Sequence, residues 1–466
     1  MANRTGSLQD LVDSVPNLAD YFYENPNPPH ASVAGGSPVP PEVTNWRDEQ
    51  RAWRETAVLL DQTHHMPELF LSGPDARQLL GRIGVNSLKN LAPGRAKQFI
   101  GCTDQGYLIG DCILHDLGDE RFELISGMPL LDWVHYNAES GGYDVSVERD
   151  HDTPTDPKGW RTNYRYQLAG PNAAAIFADL VGGNPPEIAF FRTAQVRIAG
   201  CDVLALRHSM SGHQGVELSG PYAHQQAVRD AIVAAGARHG MLLGGLKSYF
   251  STGLESGWMA YPLPAIYTDE TMRGFREWLP ATSWEARMQL GGSFRSQRIE
   301  DYYSTPFDLG YGSIINHNHD FFGSDALRQK AQQPKRGKCT LVWNREDMAK
   351  VFASILGHDM PYKYFELPVT NYAFQQRDTI RNPNGDLVGL SCRSGYSANE
   401  GDVLSLAMID ETHLAPGTEV LVTWGEPDGG SSKPRVERHQ QIDVRATVQS
   451  APYGSANSLK RVTLAA

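Results

Sequence analysis

The chain lacks the cysteine pattern of a disulfide framework or a zinc site. Its 466 residues include five cysteines, Cys102, Cys112, Cys201, Cys339 and Cys392, and no Cys-x-x-Cys pair. An odd, scattered set of this kind suits a reducing cytoplasm. Also missing is any run near the ~20 apolar residues that a membrane helix needs. The stretch from Met1 to Asp20 has no apolar core of the signal-peptide kind. No Lys/Arg cluster interrupts a net charge of -12, which makes nucleic acid and anionic membranes poor partners. There is no G-x-x-x-x-G-K-[ST], no H-E-x-x-H and no G-x-S-x-G, so the usual phosphate-loop, zinc-protease and hydrolase signatures are excluded. His64-His65 and His317-x-His319 have no Cys or acidic ligand cluster beside them. They read as hydrogen-bonded histidines, and no metal is expected.

Glycine and proline are abundant, at 45 and 29 residues, and the length exceeds one ordinary core. The first 20 residues carry Leu8, Leu11, Val12, Val15 and Leu18 at helical spacing. A Pro-rich loop is expected over 25–41, beside Tyr21 and Tyr23. The phrase Leu-x-Gly-Pro-x-Ala recurs at Leu71, Leu168 and Leu218, each time between a strand-like and a helical run. Glycine permits the tight turn there, and proline suits a first helical turn because its missing N–H needs no partner. Segments 98–103, 107–117 and 121–126 read as strands. So do 339–343, 378–381, 387–391, 403–409, 419–423 and 442–447, with Asn384-Gly385 as a hairpin signal. The fold class is α+β, with a separate β domain starting near residue 335.

Two segments carry chemistry. Ser211-Gly-His-Gln-Gly-Val-Glu217-Leu places one carboxylate among apolar residues after a glycine-rich turn. A buried carboxylate suits a ligand edge with two adjacent N–H donors, such as a pterin, through charge-assisted bonds roughly twice as strong as neutral ones. Tyr249-Phe-Ser-Thr-Gly-Leu-Glu-Ser-Gly-Trp258 places a phenol and an indole on either side of a second glycine-rich turn. A phenol pKa of about 10 matches that of a departing phenolic oxygen, so Tyr249 suits the role of its acid. Each residue also has an ordinary structural reading: a salt-bridged glutamate for Glu217, core aromatics for Tyr249 and Trp258. Gln62 and His65 sit three apart, where one helical turn would put them on one face.

With Gly106-Tyr-Leu-Ile-Gly-Asp111, Thr305-Pro-Phe-Asp-Leu-Gly310, Phe321-Phe-Gly-Ser-Asp-Ala-Leu327 and Gly389-x-x-x-x-Ser-Gly-Tyr396 also in order, the chain resembles the glycine-cleavage T-protein (aminomethyltransferase) superfamily over about 46–460. Its length, its N-terminal extension, Leu60-Asp-Gln62-x-x-His65-Met66 and the Tyr249 block resemble the tetrahydrofolate-dependent aryl-ether branch, the O-demethylases and sesamin-type methylene transferases. The resemblance implies a three-domain fold around a central folate channel, with a C-terminal β-barrel or jelly-roll domain. It implies a first folate-binding domain over 1–66 and 164–238, with an extension over 1–45, a second over 67–163 and 239–334, and a third over 335–466.

The resemblance further implies a cytoplasmic transferase that moves a methyl or methylene group from an aromatic ether to tetrahydrofolate. Tyr249, His65 and Asp111 would be catalytic. Glu217, Trp258, Ile125 and Phe190 would hold the cofactor. Gln62, Tyr21, Tyr23 and Gly127 would meet the substrate, with the two tyrosines closing over its ring. At Gly127 the chain departs from the vanillate-type pattern, which has an arginine there for the substrate carboxylate; this favours a neutral aromatic ether. Aminomethyl transfer in glycine cleavage, or folate binding without catalysis, are the rival readings.

Overall fold

The computed structural model describes residues 6–25, 37–153, 160–260, 262–333, 335–430 and 433–454. Three β assemblies organise them.

The first is a six-stranded sheet in the order Met241–Gly244, Ala57–Asp61, Asn163–Ala169, Gly215–Pro221, Cys201–Leu206 and Thr193–Ile198. Side chains alternate across a strand. Tyr164, Tyr166, Leu168, Val216 and Leu218 therefore share one face, in a core with Ile176 and Phe177 of the helix Ala173–Leu180 and Val228 and Ile232 of the helix Gln225–Ala237. Arg165, Gln167 and Glu217 are left for the opposite face.

The second is a five-stranded sheet in the order Ala96–Cys102, Leu108–Gly118, Arg121–Ser126, Glu68–Ser72 and Ser146–Asp150. Leu69, Leu71, Leu114, Phe122 and Leu124 pack under the helices Ala76–Ile83 and Met128–Ser140. Each large aliphatic buried this way, Leu79, Leu80 and Ile83 among them, contributes about 1.5–3 kcal/mol. The other face holds Glu68, His115 and Glu123. The polar faces of the two sheets meet: Arg165 of the first reaches Glu68 and Glu123 of the second, both at 3.0 Å.

The third assembly is a closed barrel of Arg336–Trp343, Asp402–Asp410, Leu387–Ser397, Asp378–Arg381, Glu419–Trp424 and Ile442–Ser450. It contains all six of the expected C-terminal strands. Gly385 has φ +92° at the expected Asn384-Gly385 turn, where a side chain would be strained. The first sheet takes in Met241–Gly244, just past residue 238; we propose domain limits of 1–66 with 164–238, 67–163 with 239–334, and 335–466.

Several local expectations change. The N-terminal run is two helices, Leu8–Ser14 and Leu18–Tyr23, with Val15 extended between them. Pro16 explains the break, because proline disfavours helical backbone in the residue before it. Both helices add side chains to the core of the second sheet. In the Leu-x-Gly-Pro phrases, Gly73 and Gly170 adopt φ +133° and +125°. The third copy instead runs on as strand to Pro221, then a 3-10 turn at Tyr222–His224. Tyr249 and Trp258 do not flank a loop. Leu246–Ser256 is an α-helix with Tyr249 in its first turn, and only Gly257, left-handed at φ +68°, makes the turn before Trp258. Of the expected 25–41 loop, residues 26–36 lie outside the described residues.

Candidate active site

Gln62 and His65 lie in a turn after the strand Ala57–Asp61, not on a helix. Buried Arg161 holds this turn, donating to the carbonyls of Thr63 and Met66 and pairing with Asp150 at 3.0 Å. His64 is tied to Thr153 Oγ1 at 2.8 Å. The turn directs Gln62 and His65 at Tyr249. Gln62 Nε2 lies 3.5 Å from the Tyr249 hydroxyl, and the His65 ring stands edge-on to the Tyr249 ring at 4.5 Å. Gln62 Oε1 and both ring nitrogens of His65 are buried with no hydrogen-bond partner among the described residues. Burial, helped by the charge of Arg161, pushes the His65 pKa down to about 3. His65 is therefore a neutral imidazole, able to donate from one nitrogen and accept at the other.

Glu217 lies in the middle of its strand, 1% exposed. His208 Nδ1 donates to its Oε1 at 2.7 Å, and Arg165 approaches its Oε2 at 3.5 Å. Oε2 has no hydrogen-bond partner among the described residues. Burial pushes the pKa up, but the His208 hydrogen bond and the Arg165 charge outweigh it and hold the carboxyl below its usual range. Around the same guanidinium, burial pushes Glu68 and Glu123 up. His115 completes the group, 3.8 Å from Glu123.

Asp111 and Trp258, read separately in the sequence, touch. The indole Nε1 donates to Asp111 Oδ2 at 3.2 Å; Tyr311 O–H donates to it at 2.9 Å, and Gln98 Nε2 is a third donor. Burial raises the Asp111 pKa against these three bonds. Ile125 is buried between Ile113 and Glu68 in neighbouring strands. Phe190 is 57% exposed, its ring 4.7 Å from Phe191 and 6.4 Å from His208.

Residues 19–264 match the GCVT N-terminal domain family. The chain is 44% identical over 449 residues to syringate O-demethylase of Sphingobium sp., covering 96% of each protein. The chain belongs to the GCVT family. It is also 28% identical over 432 residues to sesamin methylene transferase of Sinomonas sp., covering 89% of this chain and 90% of that protein. The glycine cleavage system aminomethyltransferase T from Bartonella henselae shares the fold, with a TM-score of 0.61 at 17% identity over 90% of this chain and 92% of that one.

Within this GCVT chain, Gln62, His65 and Tyr249 come together, as do Asp111 and Trp258. The N-terminal tyrosines, Tyr21 and Tyr23, belong to the short helix Leu18–Tyr23. Tyr23 is 1% exposed, donates its hydroxyl to the Gly292 carbonyl and lies under the Arg295 guanidinium. Tyr21 packs on Phe22 against the core of the second sheet. Helix packing buries Tyr23 and leaves Tyr21 half-buried. Gly127 precedes the helix Met128–Ser140; the arginine nearby, Arg149, pairs with Asp132 at 3.0 Å and contacts Met128 Sδ at 3.5 Å.

The sequence reading missed Arg165, Glu68, Glu123, His115 and His208. A signal existed for Arg165: in Tyr164-Arg-Tyr-Gln-Leu168 apolar or aromatic residues alternate with polar ones, in a strand buried on both faces. Polar residues on the second face of such a strand imply a buried, paired polar cluster.

Proposed function

We propose that this protein cleaves an aryl methyl ether and passes the methyl group to tetrahydrofolate, leaving a phenol. The observation that carries this reading is the convergence of Tyr249, Gln62 and neutral His65, with unpartnered polar atoms around a phenolic hydroxyl. The 44% identity to syringate O-demethylase supports a methoxyarene as the donor.

Tetrahydrofolate supplies the nucleophile that accepts the one-carbon unit. Glu217 is the residue to hold it. A pterin edge offers two adjacent N–H donors, and Glu217 Oε2 is a buried acceptor with no hydrogen bond among the described residues, only the Arg165 charge at 3.5 Å. Leaving it so costs about 1–3 kcal/mol, which a bound ligand relieves. Trp258 presents a flat wall, fixed by its bond to Asp111. Asp111, whose Oδ2 accepts from Trp258 and Tyr311, is the carboxylate that would stabilise positive charge on the cofactor. Ile125 lies on the same face of the second sheet as Glu68, and Phe190 at the rim suits the outer part of the cofactor.

As the methyl carbon–oxygen bond breaks, the electron pair stays on the aryl oxygen. Tyr249 Oη passes its proton to that oxygen, and the proton that the tetrahydrofolate nitrogen would give up on accepting the methyl group returns to the tyrosinate. His65 donates a hydrogen bond to the oxygen, and Gln62 Oε1 receives a hydroxyl on the ring. Much of the rate comes from holding donor and acceptor in line.

The test is incubation with tetrahydrofolate and a panel of methoxy- and methylenedioxyarenes, read by mass spectrometry. We expect 5-methyl-tetrahydrofolate and a phenol from a methoxyarene. No folate product from any arene would defeat the reading.

A further inference from the structure

The helix that carries Tyr249 is gripped along one side by three polar rungs. They come from the helix Trp46–Glu55. Glu49 Oε2 accepts from Ser248 Oγ at 2.7 Å and from the Gly245 amide at 2.9 Å, at the helix N-terminus. Gln50 Nε2 donates to Ser251 Oγ at 2.7 Å. Trp53 Nε1 donates to Glu255 Oε2 at 2.9 Å. A carboxylate at the N-terminal end, as at Glu49, is favoured by the helix dipole. Glu255 sits at the opposite end, in the last turn, where the dipole disfavours an anion by about 0.3–1 kcal/mol. It is also 2% exposed, so its charge depends on its partners.

Those partners come from three other parts of the molecule. Beyond Trp53, Ser397 Oγ donates to Oε1 at 2.7 Å and Asn399 Nδ2 at 3.0 Å; both belong to the barrel, at and just after the end of Leu387–Ser397. His213 Nε2 lies 3.5 Å from Oε2, and His213 is in the turn that leads into the Glu217 strand. The barrel hairpin is further fixed by the Ala398 amide donating to Gln50 Oε1 at 2.7 Å. Burial raises the Glu255 pKa, and these donors, His213 and Trp53 foremost, bring it below its usual range. A buried anion at the wrong end of a helix is an unfavourable way to fill space, and an apolar residue would pack there at less cost. What the carboxylate provides instead is a fixed meeting point for the Tyr249 helix, the barrel and the Glu217 turn.

We propose that Glu255 is a positioning residue for the transfer, setting the Tyr249 helix against the barrel hairpin and the turn before Glu217. It touches no substrate and acts through Tyr249. This rests on the acid role of Tyr249 given above. A displacement of about 1 Å at a reacting group costs up to ~100-fold in rate, and loosening the helix end moves Tyr249 Oη on this scale.

The test is a double-mutant cycle of kcat on folded protein with tetrahydrofolate and a methoxyarene. Glu255→Gln keeps the shape and removes the charge. We expect kcat to fall roughly tenfold in the wild-type background and not to fall further in Tyr249→Phe. Trp53→Phe, which removes one donor and keeps a ring, is the second variant in case Glu255→Gln does not fold. Its expected loss is smaller and disappears in the same background. Equal losses in both backgrounds, or a loss in neither, overturn the positioning role while leaving the acid role of Tyr249 intact. A silent Tyr249→Phe would instead remove the acid role, and this inference with it.

Discussion

Gln62 Nε2 lies 3.5 Å from the hydroxyl of Tyr249, across 187 positions of sequence. One residue closes the first strand of the first sheet; the other is in the first turn of a helix that follows the last strand of that sheet. The parallel pairing of Ala57–Asp61 with Met241–Gly244 joins those two points. The site is thus a product of sheet topology, with the His65 ring as its third wall.

Tyr249→Phe removes the hydroxyl proposed as the proton donor and leaves the ring packing against His65 and Phe250. We expect kcat to drop about 100-fold or more, with tetrahydrofolate affinity unchanged by calorimetry. A kcat within threefold of wild type would contradict the acid role.

Glu217→Gln keeps the shape of the side chain and replaces one oxygen with a donor, which faces the pterin donors. Losing a charged acceptor costs about 1.5–3 kcal/mol, so the Kd for tetrahydrofolate should weaken about 10- to 100-fold. An unchanged Kd would reject Glu217 as the anchor.

Arg165 balances Glu68, Glu123 and Glu217, all buried. Arg165→Met leaves three carboxylates without their cation, and removing one partner of a buried pair costs about 3–5 kcal/mol. Adding Glu123→Gln should recover part of that loss. Urea unfolding measures both variants; an Arg165→Met protein as stable as wild type would show that the guanidinium is not the counter-ion.

Burial and the charge of Arg165 push the His115 pKa down to about 3. The unfolded chain binds the proton near pH 6.5 and the folded chain only near pH 3, so stability falls as the solution is acidified between these values. One such group contributes a slope of about 1.4 kcal/mol per pH unit. His115→Gln should flatten the stability–pH curve by that amount across this window. An identical slope in the variant would mean that His115 is protonated in the folded protein.

Much of this architecture was legible in the residues themselves. The six barrel strands showed through their alternation and turn residues, and Glu217 through the glycines before it. The Gln62–His65 turn read as a helix because a three-residue spacing fits both, and only the Arg161 cross-links decide between them. Tyr23 read as a substrate contact because a tyrosine beside a Pro-rich loop looks exposed; its burial comes from docking of the N-terminal helices against a core formed over 200 residues away, at Tyr267 and Gly292. The Arg165 cluster was invisible as a cluster, since its members lie in five different strand or loop segments. Glu255 stood in the quoted motif, but a helix-end glutamate acquires significance only once its partners from the barrel and the Glu217 turn are known.

The most direct test uses a methoxyarene that the panel shows to be turned over, labelled with carbon-13 in the methoxy carbon and oxygen-18 in the methoxy oxygen, incubated with the protein and tetrahydrofolate. The account predicts carbon-13 in 5-methyl-tetrahydrofolate and full retention of oxygen-18 in the phenol. Carbon-13 in methanol or formaldehyde, or loss of oxygen-18 from the phenol, would contradict it.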